Sequence, residues 1–383
     1  MIPAKAGSQN TLGLMKEELK DTNILAALLL LVSFSSSFIN PRVFWLPAFA
    51  GIIYPYVLIV NIAFIVMWLF IRIKYSLISL LPVLLGFSYF SSFLQCNSEK
   101  PANGNGLAFK VMSYNVHNFD LYNYKKNWQI NYEKRNKIFS FLKNQDCDII
   151  CFQEFVNNCN GEFKTKDTLV TFLKATNVHA EYSVVSRHIY EFGLATFTTF
   201  PIVGKGLIKF PNSRNNFCIY TDVLISNDTV RIYNAHLQSL HLGNSDIEFA
   251  DNIASGNTNT DEKDLKNKSL RILRYLKRGF VKRSVQAELL AGHIKKCPYP
   301  VILCTDLNDT PFSYAYHQLG SLLNDAFKEA GFGLGTTYYK IYPSFRIDYI
   351  FLSNHFKVSN FKNVKTDNSD HYPVMCLAEK KKQ

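Results

Sequence analysis

The chain has 383 residues, 48% of them hydrophobic, and 42 Lys and Arg against 30 Asp and Glu give it a formal charge of +12. That length holds one large domain or two ordinary ones. A basic balance suits an anionic partner such as a phosphate ester, nucleic acid or lipid headgroup. The eight cysteines show no paired CxxC spacing, which excludes that kind of zinc centre.

Three uncharged apolar stretches fill the first hundred residues. They predict three transmembrane helices, at about 23–39, 51–71 and 75–95, within a membrane region 1–96. The first stretch is at the short limit for a span, and the third contains Pro82, which spanning helices tolerate. Lys5, Lys16 and Lys20 precede the first stretch, and Arg72 and Lys74 separate the second from the third. The positive-inside tendency then puts the N-terminus inside, and three crossings put the rest of the chain on the extracytoplasmic side of the cell membrane.

A polar Gly/Pro-bearing linker follows at 97–106, and strand-like and helix-like segments alternate over 107–383. Short apolar runs at 109–116, 148–153 and 301–305 read as strands, and Cys147, Cys151, Cys304 and Cys376 read as their small core residues. The runs 219–226 and 229–236 flank Asn227-Asp228 and predict a hairpin. Amphipathic helices are predicted at 131–142 and 167–175, with one or two longer helices in 264–295. Strands apolar on both phases need cover on both faces, which predicts packed sheets with helices outside.

The chemistry is written where a polar residue ends an apolar strand. Asn115, Glu154, His236, Asp306 and Asn308 occupy such ends, Asp348 opens a strand, and Asp370-His371 precede another. Taken singly, a strand-end Asn or Asp is more often a turn former than a ligand. As a set, carboxylates and amides suit a hard cation such as Mg²⁺, while two histidines and a further carboxylate can handle protons. The chain has no G-x-x-x-x-G-K-[ST] loop, no H-E-x-x-H and no G-x-S-x-G, so nucleotide-triphosphatase, zinc-peptidase and serine-hydrolase readings lack a motif.

At these positions the sequence resembles the endonuclease/exonuclease/phosphatase superfamily over about residues 107–380. The matching motifs, in the family's order, are Ser-Tyr-Asn-Val-His-Asn (113–118), Phe-Gln-Glu (152–154), Asn-Ala-His-Leu (234–237), Thr-Asp-Leu-Asn-Asp-Thr-Pro (305–311), Arg-Ile-Asp-Tyr-Ile-Phe (346–351) and Ser-Asp-His-Tyr-Pro-Val (369–374). The resemblance implies an α/β (α+β) fold, a two-sheet β-sandwich flanked by helices in four layers, α/β/β/α. It implies a metal-dependent phosphoesterase in which Glu154, Asn115 and Asp370 hold Mg²⁺ or Mn²⁺. Asp306 would orient or deprotonate the attacking water, and Asn308 would bond the water or the phosphate. His371, paired with Asp348, and His236 would stabilise the transition state and assist the leaving oxygen.

Abasic-site nucleases of the superfamily carry Tyr where this chain has His236, so the chain is more similar to pancreatic-type deoxyribonucleases and sphingomyelinases. Inositol-polyphosphate phosphatases and deadenylases share the same histidine. His117 stands where some members place an acidic residue and reads as a loop residue facing solvent. The segment 240–283 carries Arg271, Arg274, Lys277, Arg278, Lys282 and Arg283, which suit contact with substrate or an anionic membrane surface as well as they suit a solvated helix face. Nucleic acid, a lipid headgroup and a small phosphodiester all fit as substrate. A catalytically inactive binding module on the same fold is the alternative, and fold alone does not choose between them.

Overall fold

The computed structural model describes residues 5–97, 107–124, 129–158, 163–186, 189–239, 249, 261–340 and 344–381. The chain divides into two compact units, residues 1–91 with 312–314, and residues 92–311 with 315–383.

The first unit is helical: α1 (Lys5–Ser35), α2 (Leu46–Ile52), α3 (Tyr54–Ile71), α4 (Ile73–Leu85) and α5 (Phe87–Phe93). Among the described residues one helix, α3 with 18 residues, is long and apolar enough to cross a membrane. This corrects the expectation of three spans. The first expected span forms only the end of α1, whose apolar part runs from Asn23 to Ser35, short of the roughly 17 residues a span needs. The third is broken at Gly86, where the ring of Phe34 lies 1.8 Å from the place a Cβ would occupy, leaving α4 with 13 residues and α5 with 7. With α3 as a lone crossing, Arg72 and Lys74 flank its C-terminal end and outweigh Arg42 on its other side. The sidedness expected from three crossings therefore loses its basis. Polar groups inside this apolar unit satisfy one another. Asn61 donates to Ala26 O (3.0 Å) and Val57 O (2.8 Å), and Ser79 donates to the side-chain oxygens of Asn61 and Asn23.

The second unit holds two six-stranded mixed sheets. The strands are β1 (Gln95–Cys96), β2 (Ala108–Asn115), β3 (Ile149–Asn158), β4 (Asn177–Ser186), β5 (Tyr190–Thr198), β6 (Ile202–Lys209), β7 (Phe217–Ile225), β8 (Asp228–His236), β9 (Val301–Asp306), β10 (Asn324–Asp325), β11 (Phe332–Gly333), β12 (Asp348–Leu352), β13 (Phe356–Asn363) and β14 (Val374–Lys380). One sheet runs β13-β14-β2-β3-β5-β4, the other β10-β12-β9-β8-β7-β6, and β1 pairs with β11 apart from both. The central pairs β2–β3 and β8–β9 are parallel. The helices are α6 (Glu133–Gln145), α7 (Thr165–Phe172), α8 (Glu262–Lys295), α9 (Tyr314–Gly320) and α10 (Ala326–Ala330).

Alternation along β2 accounts for the layers. Phe109 and Val111 join Ile149, Cys151, Val230, Ile232, Ile302, Cys304 and Ile350 in a core between the sheets. Met112 and Tyr114 point the other way, into a core with Ile138, Phe139 and Leu142 of α6 and Leu169 of α7. A third core packs Ala287, Leu290 and Ile294 of α8 against Tyr233, Ala235 and Leu303 on the far face of the second sheet. Four layers result, with helices outside two mixed sheets. The long C-terminal helix is one element rather than two. Cys147, Cys151, Cys304 and Cys376 are buried free thiols in these cores.

The hairpin turns one residue earlier than its Asn-Asp signal predicts. Ser226 and Asn227 both have positive φ (50° and 70°), and Ile225 pairs with Asp228. The register pairs Val223 with Val230 and keeps Val223, Ile225, Val230 and Ile232 on the inter-sheet face, and moving the two-residue turn by one position shifts the pairing by two residues, which leaves that face unchanged.

A polar bridge crosses the apolar interface. Gln153 of β3 donates to Asn234 Oδ1 of β8 at 2.8 Å, and Asn234 donates back to Phe152 O and Ala195 O, each at 3.1 Å. Both side chains are fully buried, so their partners are obligatory. Asn234→Ala should lower unfolding stability by about 1–3 kcal/mol, read as a lower denaturant midpoint for the full-length chain in detergent.

Candidate active site

Five of the predicted side chains arrive at one edge of the sandwich for topological reasons. Asn115, His236 and Asp306 are the last residues of β2, β8 and β9, while Asp348 is the first of β12, which runs antiparallel to β9. In register, Asp306 stands opposite both Asp348 and His236. Glu154 comes from a bulge in β3, where two residues, Gln153 and Glu154, lie between the pairs Phe152–Ala195 and Phe155–Gly193. Its φ is +50°, a left-handed conformation that a regular strand does not contain. The bulge leaves Gln153 bonded between the sheets and turns Glu154 into the edge. Gly193 opposite the bulge has to be glycine, because a Cβ there would stand 1.9 Å from Glu181 O.

A second strained element presents His117 and Asn118. Residues His117–Asp120 all have positive φ, between 44° and 58°. The fully buried Phe119 ring pins this turn among Phe139, Phe152, Phe155 and Phe163. Non-glycine residues adopt this backbone at a cost, and surrounding packing has to hold them there. His117 is half-exposed, but its ring nitrogen turns inward rather than out to solvent as predicted. Its Nδ1 lies 3.6 Å from Glu154 Oε2 and 3.3 Å from Asp370 Oδ2, between two of the expected metal-site carboxylates.

The contacts form one continuous set. His236 Nε2 is 3.9 Å from Glu154 Oε1 and 3.5 Å from Asp306 Oδ2, and His371 Nε2 is 4.0 Å from the same Asp306 oxygen. His371 Nδ1 meets Asp348 Oδ2 at 2.8 Å, the geometry of a carboxylate orienting an imidazole. Asn308, also at positive φ, donates its backbone N–H to Asp306 Oδ1 at 2.8 Å and its amide to Leu237 O at 3.1 Å. Ser369 donates to Asn115 O at 2.8 Å and so ties the Asp370-His371 loop to the end of β2.

Burial and neighbouring charge set the protonation states. Burial pushes the Asp306 carboxyl up, and the adjacent Asp348 charge adds to this, while His371 and His236 offset only part of it. Burial by itself would lower His371, but the Asp348 and Asp306 carboxylates overcome it and hold the imidazole well above its ordinary value. Burial also works to raise Glu154. The His117 contact and the charges of His236, His117 and His371 reverse that and hold it down at about 2. The contact with Glu154 likewise raises His117. The edge thus holds an ionised Glu154, a protonated His371 beside Asp348, and an Asp306 of raised proton affinity side by side.

Two groups of donor atoms at this edge could hold a cation. Asp306, Asp348 and His371 offer donor atoms within 4.8 Å of one another. His371 already gives its Nδ1 to Asp348, and its cationic form disfavours a second positive charge there. Glu154 and Asp370 converge on His117 and are hard oxygen donors, which fits Mg²⁺ or Mn²⁺ better. Asn115 uses its amide nitrogen, which donates to Glu154 Oε1 (3.3 Å) and Asp306 Oδ2 (3.0 Å), while its oxygen accepts from His117 N–H. Ligation through that oxygen requires turning the amide over. The buried Nε2 of His236 and Oδ1 of Asp348 have no hydrogen-bond partner among the described residues, as expected of atoms that face a ligand.

Arg283 corrects the reading of the basic segment. It is 1% exposed and cannot meet a membrane or a solvent-borne substrate. Its Nε pairs with Asp309 Oδ2 at 2.8 Å and its Nη1 donates to Gln238 O at 3.0 Å, so it clamps the loops that follow His236 and Asp306. Gln286, one turn along α8, accepts from Gln238 N–H at 2.8 Å. The rest of the segment lies partly at 240–248 and 250–260, outside the described residues.

Residues 112–371 match the family described as Endonuclease/Exonuclease/phosphatase family, and the chain belongs to that family. Residues 21–93 match a family described as a domain of unknown function (DUF8431). Among solved structures, an endonuclease/exonuclease/phosphatase family protein from Bacteroides thetaiotaomicron is 17% identical, with a TM-score of 0.50 over 73% of this chain and 100% of that one. A functionally unknown conserved protein from Enterococcus faecalis V583 is 14% identical, with a TM-score of 0.50 over 71% of this chain and 100% of that one. At these identities the likeness concerns the fold. No curated protein matches the chain.

Arg283→Met leaves Asp309 ionisable, buried and unpaired, and should destabilise the chain by about 3–5 kcal/mol. Adding Asp309→Leu should restore much of that loss, which a double-mutant cycle on the denaturant midpoint would show.

Proposed function

We propose that the chain is a membrane-anchored, divalent-metal-dependent hydrolase that cleaves phosphoester bonds, and phosphodiesters in particular, by in-line attack of water. One observation carries the reading: Glu154, His236, Asp306 and His371, drawn from both sheets, form a set of contacts no longer than 4.0 Å at a single edge. Ordinary packing has no use for so many charged groups at one point, and phosphoryl transfer does.

Glu154 and Asp370, with Asn115 beside them, would hold Mg²⁺ or Mn²⁺. When bound, the ion neutralises charge on the non-bridging phosphate oxygens. Asp306, whose proton affinity burial has raised, accepts the proton of the attacking water, and Asn308 holds Asp306 and the water in line. His371 stays charged beside Asp348 and donates to the phosphate. His236 Nε2, buried beside Glu154 and Asp306 and with no hydrogen-bond partner among the described residues, serves the leaving oxygen. Nucleic acid, a lipid headgroup and a small phosphodiester all offer this reacting group.

In this reading residues 1–96 are the membrane part, 97–106 a linker and 107–383 the catalytic domain. α3 supplies the anchor, since 18 residues at 1.5 Å each span about 27 Å, close to a hydrocarbon core. A carbonate wash should leave the chain in the membrane pellet, and release into the wash would overturn the anchoring.

The catalytic proposal is tested on the full-length chain in detergent with bis-p-nitrophenyl phosphate. Chelation should abolish turnover and Mg²⁺ should restore it. Asp306→Ala and His371→Ala should each lose at least about 10²-fold in kcat. Turnover that survives chelation, or that both variants leave unchanged, refutes the reading.

A further inference from the structure

Beside the catalytic edge the surface opens into a cleft of about 380 Å³ that starts at Glu154 and His236. Beyond those two its walls carry no charge among the described residues. They are amides and hydroxyls, among them Asn118, Ser183, Asn216 and Ser239, and the rings of Tyr122 and Phe192. The two rings lie 6.2 Å apart and within 5° of parallel, and Tyr122 is 66% exposed, so a flat face is open to solvent. The volume accommodates one nucleotide-sized unit.

The cleft does not end there. Ser183 and Asn216 also line a neighbouring cleft of about 300 Å³, so the two adjoin at these residues. The second cleft contains Lys209 and Arg214 with a single acidic residue, Glu181. Both cations are exposed, and neither pairs with a carboxylate among the described residues. The loop that bears Arg214 is fixed to the catalytic edge. Buried Asn216 donates to Leu237 O at 2.8 Å, the carbonyl that also accepts from the Asn308 amide at 3.1 Å. Ser213 closes the loop through a hydrogen bond from Asn216 N–H at 3.2 Å.

A groove built this way reads from one end as reacting phosphate, neutral ring-sized unit and second anion. We propose that Lys209 and Arg214 form a second anion subsite, so that the preferred substrate is a phosphodiester carrying another phosphate one ring-bearing unit away. This rests on the phosphoesterase reading above for the identity of the first site. A planar base is the ring chemistry that Tyr122 suits, by stacking, while the Asn and Ser walls serve any hydroxyl-bearing ring. A phosphocholine-type diester lacks the second anion and would leave Lys209 and Arg214 unused.

Calorimetric binding to the full-length chain in detergent separates this from the catalytic reading, because it needs no turnover. The probes are thymidine 5′-phosphate, thymidine 3′,5′-bisphosphate and inositol 1,4-bisphosphate. The double variant Lys209→Met/Arg214→Met should weaken the bisphosphates by at least about tenfold, the scale of losing charge-assisted hydrogen bonds. It should leave the monophosphate, and kcat on bis-p-nitrophenyl phosphate, within about twofold. Tyr122→Ala should weaken both thymidine probes by about tenfold or more if a base stacks there. If only inositol bisphosphate binds and Tyr122→Ala leaves it unchanged, the anion subsite stands and the ring is a polyol. Equal loss for mono- and bisphosphate, or no loss for either, overturns the second subsite. Normal bisphosphate binding by a chain without Mg²⁺-dependent turnover would sink the reaction and leave the subsite.

Discussion

The two sheets meet through an apolar interface that has no directional preference of its own, and hydrophobic contact alone would let one slide on the other. The Gln153–Asn234 bridge removes that freedom. Gln153 directly precedes Glu154, and Asn234 stands two residues before His236, so the bond that fixes the relative position of the sheets lies one step beneath the site. Arg283 acts within the second sheet, where a single guanidinium holds the loops after His236 and Asp306 together. The site is assembled from both sheets; the amide bridge fixes how they meet, and Arg283 fixes the loops that one of them contributes.

Once assembled, the edge is an electrostatic compromise. Glu154, Asp306, Asp348 and Asp370 crowd together with His117, His236 and His371, and Lys340 lies 3.5 Å from Asp370. Different surroundings push the proton affinities of Glu154 and Asp306 apart. Glu154 is held ionised by surrounding imidazoles, whereas Asp306, buried and next to Asp348, is made more basic. Environment divides chemically similar groups into a charge holder and a proton acceptor. His117 between Glu154 and Asp370 shows that these two carboxylates already attract positive charge.

Much of this was legible because buried strands impose a strict expectation. A hydrophobe belongs inside β3 and at the ends of β8 and β9, so Glu154, His236 and Asp306 stand out as exceptions, and the residues of the motif set gathered around them. Other features gave no such signal. Arg283 looks like any cation on a charged helix, since an amphipathic pattern does not say which arginine is paired and buried. His117 sits in a left-handed turn that no residue type in it advertises, and only Phe119 in the core explains why the loop folds back. The three-span pattern failed for a related reason. Hydropathy counts apolar residues, but Gly86 lets Phe34 approach and divides the third stretch into two short helices.

Glu154 stands on a backbone conformation that favours glycine or asparagine. Its side chain is needed for charge, and its main chain would relax with a smaller residue in its place. A laboratory search for heat-tolerant versions of this chain would therefore be drawn to position 154, as well as to the left-handed turn at His117–Asp120. Each gain in melting temperature there would erode the charged set at this edge. Directed evolution for robustness should keep both places fixed and work on the helices instead.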